Sequence, residues 1–151
     1  MTIQDEVILA LTAWRENRGG GTAGMQSVMN VVLNRAAKHG QSPYTVCTTH
    51  EQFTSINPPS TMTVAATETG LWPADADPQW QTALQMAQSA DAGTLPDLTR
   101  RATLYYAPAA IPGPMDYTLP SGASISFPQG WNRAAVTYTA TVANQVFFTE
   151  R

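Results

Sequence analysis

Three consecutive glycines, Gly19 to Gly21, separate two segments of helical periodicity, and they limit the fold more than any other feature of the chain. Glycine is a poor helix former and readily takes the left-handed conformation that ends a helix. The residues on either side therefore form separate helices. Residues 3 to 17 make the first, capped by Thr2 with Asp5 three residues later as a capping-box partner. Ile3, Val7, Ala10, Leu11 and Trp14 share one face, while Ile8 and Leu9 lie on other sides. The spacing predicts a helix enclosed nearly all round. Thr22 opens a second helix that runs to about His39 and is stopped by Gly40. Its apolar face is Met25, Val28, Met29, Val32 and Ala36. Gln26, Ser27, Asn30 and Asn34 form an uncharged polar stripe opposite, with water as the default neighbour. Arg35, on the flank between Val28 and Val31, is expected to be a partly buried, paired guanidinium with a structural role.

Ser42-Pro43 and Asp77-Pro78 each join a capping residue to proline at the first helical position. They predict a short helix through Cys47 and a longer one, with Trp80, Ala83, Leu84 and Ala87 facing inward, ending near Gly93. Residues 54 to 76 between them read as a long loop. The last third changes character. Ala102 to Ala107 is strand-like. Residues 107 to 133 carry five prolines and three glycines and read as a long loop or irregular hairpin. Ala135 to Phe148 is rich in β-branched and aromatic residues, as one or two strands would be. The fold class is α+β, helices followed by a small antiparallel sheet, and 151 residues fit a single domain, 1–151.

Several function classes drop out. The net charge is −3 and only Arg100-Arg101 sets two basic residues side by side, so no nucleic-acid partner is expected. No stretch approaches the ~18 apolar residues of a membrane helix, so no membrane partner is expected either. Asp5 and Glu6 stand where a signal peptide needs positive charge, which predicts synthesis in the cytoplasm without an export signal. Cys47 is the only cysteine, so it forms no internal disulfide and is expected to pack rather than attack. There is no phosphate-binding glycine loop and no nucleophile elbow. His39 and His50, the only histidines, have no metal-ligand spacing, and neither a metal nor a cofactor is expected.

Carboxylate chemistry remains. Cleaving a glycosidic bond needs an acid on the leaving oxygen and commonly a second carboxylate. Asp5 and Glu6 suit a helix start, Asp77 a cap and Glu150 the chain end. Glu16, Glu51, Glu68 and Asp116 are left. Glu16 falls at the end of a mostly enclosed helix, beside Arg15 and Arg18. It is either a catalytic acid or a helix-end glutamate paired with one of those arginines.

Longer motifs bear on that choice. The chain reads Glu16-Asn17-Arg18-Gly19-Gly20, then Gly24-Met25, Asn30-Val31-Val32-Leu33-Asn34-Arg35, Pro43, Cys47 and Gln52-Phe53-Thr54. Near its end come Thr103-Leu104-Tyr105-Tyr106-Ala107 and Ala143-Asn144-Gln145-Val146-Phe147-Phe148. This order resembles the SleB-like cell-wall hydrolases, which show E-A-R-G-E, then G-M-x-A-V-x-N-V-V-L-N-R, a proline-led turn, a cysteine, Q-F-S, A-L-F-Y-H and G-N-H-V-F-Y. The likeness runs from about Asp5 to Phe148, and residues 56 to 76 do not align.

The resemblance implies a lysozyme-like fold, peptidoglycan glycan strands as partner and substrate, and a catalytic glutamate at Glu16. Gly20 stands where the family has a second glutamate, and Ala107 and Gln145 stand where it has histidines. Gln52, Asn144 and Gln145 are candidates for hydrogen bonds to the sugar, and Tyr105, Tyr106 and Trp131 for stacking on it. With one carboxylate in a recognisable motif, a lytic transglycosylase is the economical mechanism. Glu51 is the first choice for a second acid if the enzyme is a hydrolase, followed by Glu68. A small lytic enzyme without an export signal resembles a phage endolysin, released to the wall after synthesis and expected to be a monomer. The rival class is a glycan-binding or virion structural protein that kept the fold and lost activity.

Overall fold

A computed structural model describes residues 1–49, 52–56 and 71–151; Glu51, His50 and Glu68 lie outside the described residues. The order of elements is α1 (Ile3–Asn17), a 3-10 turn (Arg18–Gly20), α2 (Gly21–His39), α3 (Pro43–Thr48) and α4 (Pro78–Asp91). Strands β1 (Leu104–Tyr106), β2 (Tyr117–Thr118), β3 (Ser124–Ile125), β4 (Val136–Val142) and β5 (Gln145–Glu150) follow. This is α+β, helices first and then a small antiparallel sheet.

The helix boundaries follow local chemistry. Thr2 and Asp5 make a reciprocal capping box at the start of α1. Ser42 caps α3 and Asp77 caps α4, each followed by proline at the first turn. Gly40 closes α2 with φ +61°. Helix α1 is enclosed only in its second half: Leu9 through Arg15 are buried, whereas Ile3 is 80% exposed and Val7 38%. The apolar stripe expected from Ile3 thus begins about two turns later, at Ala10. Asp5 is itself buried, because its carboxylate accepts from Thr2 and also from the Tyr44 backbone N–H at 3.0 Å, tying α3 to α1.

The polar stripe of α2 does not face water. Ser27 and Asn30 are buried. Gln26 donates to the Pro96 carbonyl at 2.8 Å, and Asn30 donates to the same oxygen and accepts from Leu98 N–H at 3.0 Å. Asn34 donates to the Ala102 carbonyl at 3.0 Å, and Arg35 Nε donates to the Thr103 carbonyl at 2.6 Å. Side chains three and four apart share a helix face, so this ladder lays residues 96–103 along α2 and delivers β1 to a fixed place. Arg35 is half-buried as expected, and among the described residues it is held by a carbonyl, by Gln52 Oε1 at 3.3 Å and by the Phe53 ring rather than by an acid.

The main sheet has the order β1-β5-β4, all antiparallel, and β2-β3 form a separate two-stranded ribbon. Successive strand side chains point to opposite faces. Tyr105 and its cross-strand partner Phe147 turn toward the helices, with ring centroids 5.6 Å apart. Leu104, Tyr106, Val146 and Phe148 turn the other way, under a second apolar cluster made with Leu119, Phe127, Val136 and Trp131. The proline-rich segment that reads as a loop thus covers the outer face of the sheet. The helical core is Leu9, Trp14, Met25, Val28, Met29, Cys47, Phe53, Ala83 and their neighbours. Among the described residues, no helix is long and apolar enough to cross a membrane.

Candidate active site

Glu16 occupies the last turn of α1, one residue beyond the buried run, and is half-buried. Its Oε1 accepts two hydrogen bonds from Ser55, one from the hydroxyl at 2.7 Å and one from the backbone N–H at 3.3 Å. Ser55 is buried, anchored by Phe53 in the helical core. Its carbonyl accepts from Arg15 Nη1 at 3.1 Å, so the adjacent residues Arg15 and Glu16 grip the two sides of one serine.

Tyr105 comes from the sheet. Its hydroxyl is directed at Glu16, and burial together with the Glu16 charge pushes its pKa well above the ordinary phenol value. It therefore faces the carboxylate as a neutral hydroxyl. Burial lowers the pKa of Arg35, against the raising influence of Tyr105, Glu150, Cys47 and Glu16.

Asn17 closes the third side. Its Nδ2 donates to Gln145 Oε1 at 2.9 Å, which joins the end of α1 to the start of β5. The glycines make room for this. A Cβ on Gly20 would lie 2.7 Å from Asn17 Oδ1, and one on Gly24 would lie 2.8 Å from Asn17 Nδ2. Both are far below ordinary contact distance. Gly21, with φ +68°, makes the turn itself. The glycine run thus serves a side chain as well as a helix stop.

Of the residues singled out in the sequence, Tyr105 is brought to Glu16, and Gln145 to the neighbouring residue Asn17. Gln52 lies three residues before Ser55, exposed, with its carbonyl oxygen on Arg35. Asn144 is exposed at the β4–β5 turn, next to Gln145. Tyr106 and Trp131 lie in the other cluster: the Tyr106 hydroxyl donates to the Ser126 carbonyl at 2.8 Å, and its ring meets Trp131 edge-on at 5.3 Å. The one-residue step along β1 separates Tyr105 from Tyr106. Glu51 is outside the described residues. Cys47 is fully buried in the helical core, and burial pushes its thiol up to about 12.

Ser55, Asn17 and Trp72 had no role in the sequence reading. Nothing local distinguishes Ser55, whose partner lies 39 positions away. Trp72 is 66% exposed, with its ring over the Arg15 guanidinium at 5.1 Å. Arg18 stacks on Trp14 at 4.3 Å.

The Cell Wall Hydrolase family profile matches residues 19–148. The match takes in the α2 ladder, Gln52, Ser55, Tyr105 and Gln145, and it begins three residues after Glu16. No curated protein and no solved structure matches the chain.

Proposed function

The chain belongs to the cell wall hydrolase family, and from that premise we propose that it cuts the glycan strands of peptidoglycan with Glu16 as its catalytic acid. The bond is the β-1,4 linkage between N-acetylmuramic acid and N-acetylglucosamine. The observation that carries this reading is the double grip of Ser55 on one oxygen of a half-buried helix-end carboxylate. Both donors engage Oε1, and among the described residues no hydrogen bond engages Oε2, the oxygen that exchanges a proton with substrate.

The proposed reaction is a lytic transglycosylation. Glu16 gives its proton to the glycosidic oxygen as the bond to the muramic C1 breaks, releasing the N-acetylglucosamine 4-hydroxyl. The 6-hydroxyl of the same muramic acid then attacks C1 and returns its proton to Glu16, closing a 1,6-anhydro ring. Atoms balance without water, and one carboxylate serves as acid and then as base. Gln145, held by Asn17, and Asn144 beside it offer amides to the acetamido groups. Exposed Trp72 offers a face for a sugar ring. The protein acts on the wall as a monomer after cytoplasmic synthesis, in the manner of an endolysin.

The test is clearance of a suspension of purified peptidoglycan. The wild type should clear it, and Glu16→Gln, which keeps the shape and removes the transferable proton, should lose at least about a hundredfold in rate. A folded Glu16→Gln that retains more than about a tenth of wild-type activity overturns the assignment. An inactive wild type would favour the glycan-binding class.

A further inference from the structure

Trp72 is the most exposed aromatic side chain among the described residues. Leaving an indole in water forgoes the burial that drives folding, and tryptophan is ordinarily well buried. The ring is nevertheless held in one place. The Arg15 guanidinium lies over it, and Arg15 Nε donates to the carbonyl of the preceding residue, Leu71, at 2.9 Å. With Arg15 on one side, the exposed surface of the indole is its other face and its edges.

The same guanidinium reaches the catalytic side. Arg15 Nη1 donates to the Ser55 carbonyl, and Ser55 donates to Glu16 Oε1 from its hydroxyl and its backbone N–H. Trp72, Arg15, Ser55 and Glu16 thus form one run of contacts. Arg15 is 7% exposed. A buried cation is unfavourable unless its donors are used, and here the two sides of the fork fix carbonyls from two separate segments. A planar guanidinium can hold both in one geometry, whereas an ammonium is a point donor on a flexible stem.

We infer that Arg15 is a positioning residue for the substrate: it holds the Trp72 ring as the floor of a sugar subsite and, through Ser55, keeps that floor in register with the Glu16 carboxylate. The inference rests on the proposed cleavage of the glycan strand. A pyranose ring has an apolar C–H face and a polar rim, so it can cover an indole face and keep its hydroxyls in water. A sugar further along the strand than the bond Glu16 breaks lies on Trp72, and Arg15 sets the spacing between the two.

The experiment measures kcat and KM separately on soluble glycan strands. Trp72→Ala should raise KM about fivefold with a smaller effect on kcat, and Trp72→Phe should restore most of the loss. Arg15→Lys keeps the charge and gives up the fork; it should raise KM to the same extent and also lower kcat about tenfold. A merely structural role would lower the fraction of folded enzyme, which scales turnover and leaves KM unmoved. In a Trp72→Ala background, Arg15→Lys should lower kcat as before but raise KM no further, because the floor is already gone. Arg15→Met, of similar length and without charge, should repeat the pattern. Trp72 is exposed, so its variants test the floor even where an Arg15 variant unfolds. An unchanged KM in Trp72→Ala overturns the subsite. An Arg15→Lys enzyme with wild-type KM, or with a KM loss that adds in full to that of Trp72→Ala, overturns the role of Arg15. Each of these results leaves the glycan reading standing. A wild type that cleaves no glycan strand overturns the glycan reading and the positioning role with it.

Discussion

Asn17 and Gln145, 128 positions apart, meet at 2.9 Å at the end of α1, one residue on from Glu16. The contact fixes the start of β5 to the end of α1, and it exists because Gly20 and Gly24 leave the Asn17 side chain its space. Gly20 and Gln145, which stand where the resemblance implies a glutamate and a histidine, therefore both adjoin the Asn17 side chain.

Asn17→Ala should lower kcat/KM about tenfold, the scale of one lost positioning hydrogen bond, while thermal stability changes little. Gly20→Ala should have a similar effect by displacing Asn17. Combined, the two should cost little more than either alone, since they break one contact. Steady-state kinetics on peptidoglycan check this. Additive losses would mean that Gly20 has a separate role.

Ser55→Ala should reduce turnover about tenfold or more. It removes a hydroxyl that donates to a carboxylate at 2.7 Å, and hydrogen bonds to charged groups are worth about 1.5–3 kcal/mol. The backbone N–H of Ser55 still holds Glu16, so the loss should fall short of that from Glu16→Gln. A Ser55→Ala enzyme with full kcat would show that the serine is not needed to place the acid.

Tyr105→Phe preserves the ring packed on Phe147 and deletes only the hydroxyl facing Glu16. Turnover should fall about tenfold, and stability should stay within about 1 kcal/mol of wild type. Tyr106→Phe is the control, because its hydroxyl bonds to Ser126 under the other face of the sheet. It should cost stability on the order of 1 kcal/mol and leave kcat alone. Reversal of the two phenotypes would exchange the roles of the sheet faces.

Asn30→Ala should destabilise the fold by about 2 kcal/mol, as measured by urea unfolding. It is 3% exposed, and its loss strands the part-buried Leu98 N–H. A surface asparagine would tolerate the change within about 0.5 kcal/mol, so the measurement distinguishes a wet stripe from the ladder described above.

Asn30 also shows where sequence reading stops. Caps and stops were legible because their partners lie within a few residues: Thr2 with Asp5, Ser42 with Thr45, Gly40 with its own φ. The sheet was legible from the β-branched and aromatic run ending at Phe148. Tyr105 and Tyr106 are adjacent and chemically alike, and only the register with Phe147 and Val146 tells which one faces the helices. The polar stripe of α2 looked wet because its partners, residues 96–103, lie more than 60 positions away. Ser55 escaped for the same reason, whereas Glu16 stood out through the enclosed helix that carries it.

Digestion of purified peptidoglycan should yield muropeptides ending in 1,6-anhydro-muramic acid. Hydrolysis with retention wants two carboxyl groups ~5–5.5 Å apart, and inversion wants them ~6.5–9.5 Å apart. Among the described residues, Ser55 donates to Glu16 and the Tyr105 hydroxyl faces it, both neutral, and the Asn17–Gln145 pair is neutral too. Gly20 has no side chain to offer. A hydroxyl nucleophile supplied by the sugar itself makes a second acid unnecessary. Mass spectrometry reads the answer directly, because each anhydro end is lighter by one water than the hydrolysed end. Products that end only in reducing muramic acid would rule out the transglycosylase and send mutagenesis to Glu51 and Glu68. Reducing N-acetylglucosamine ends would place the cut at the other glycosidic bond, and intact glycan with released peptide would overturn Glu16 as a glycosidic acid.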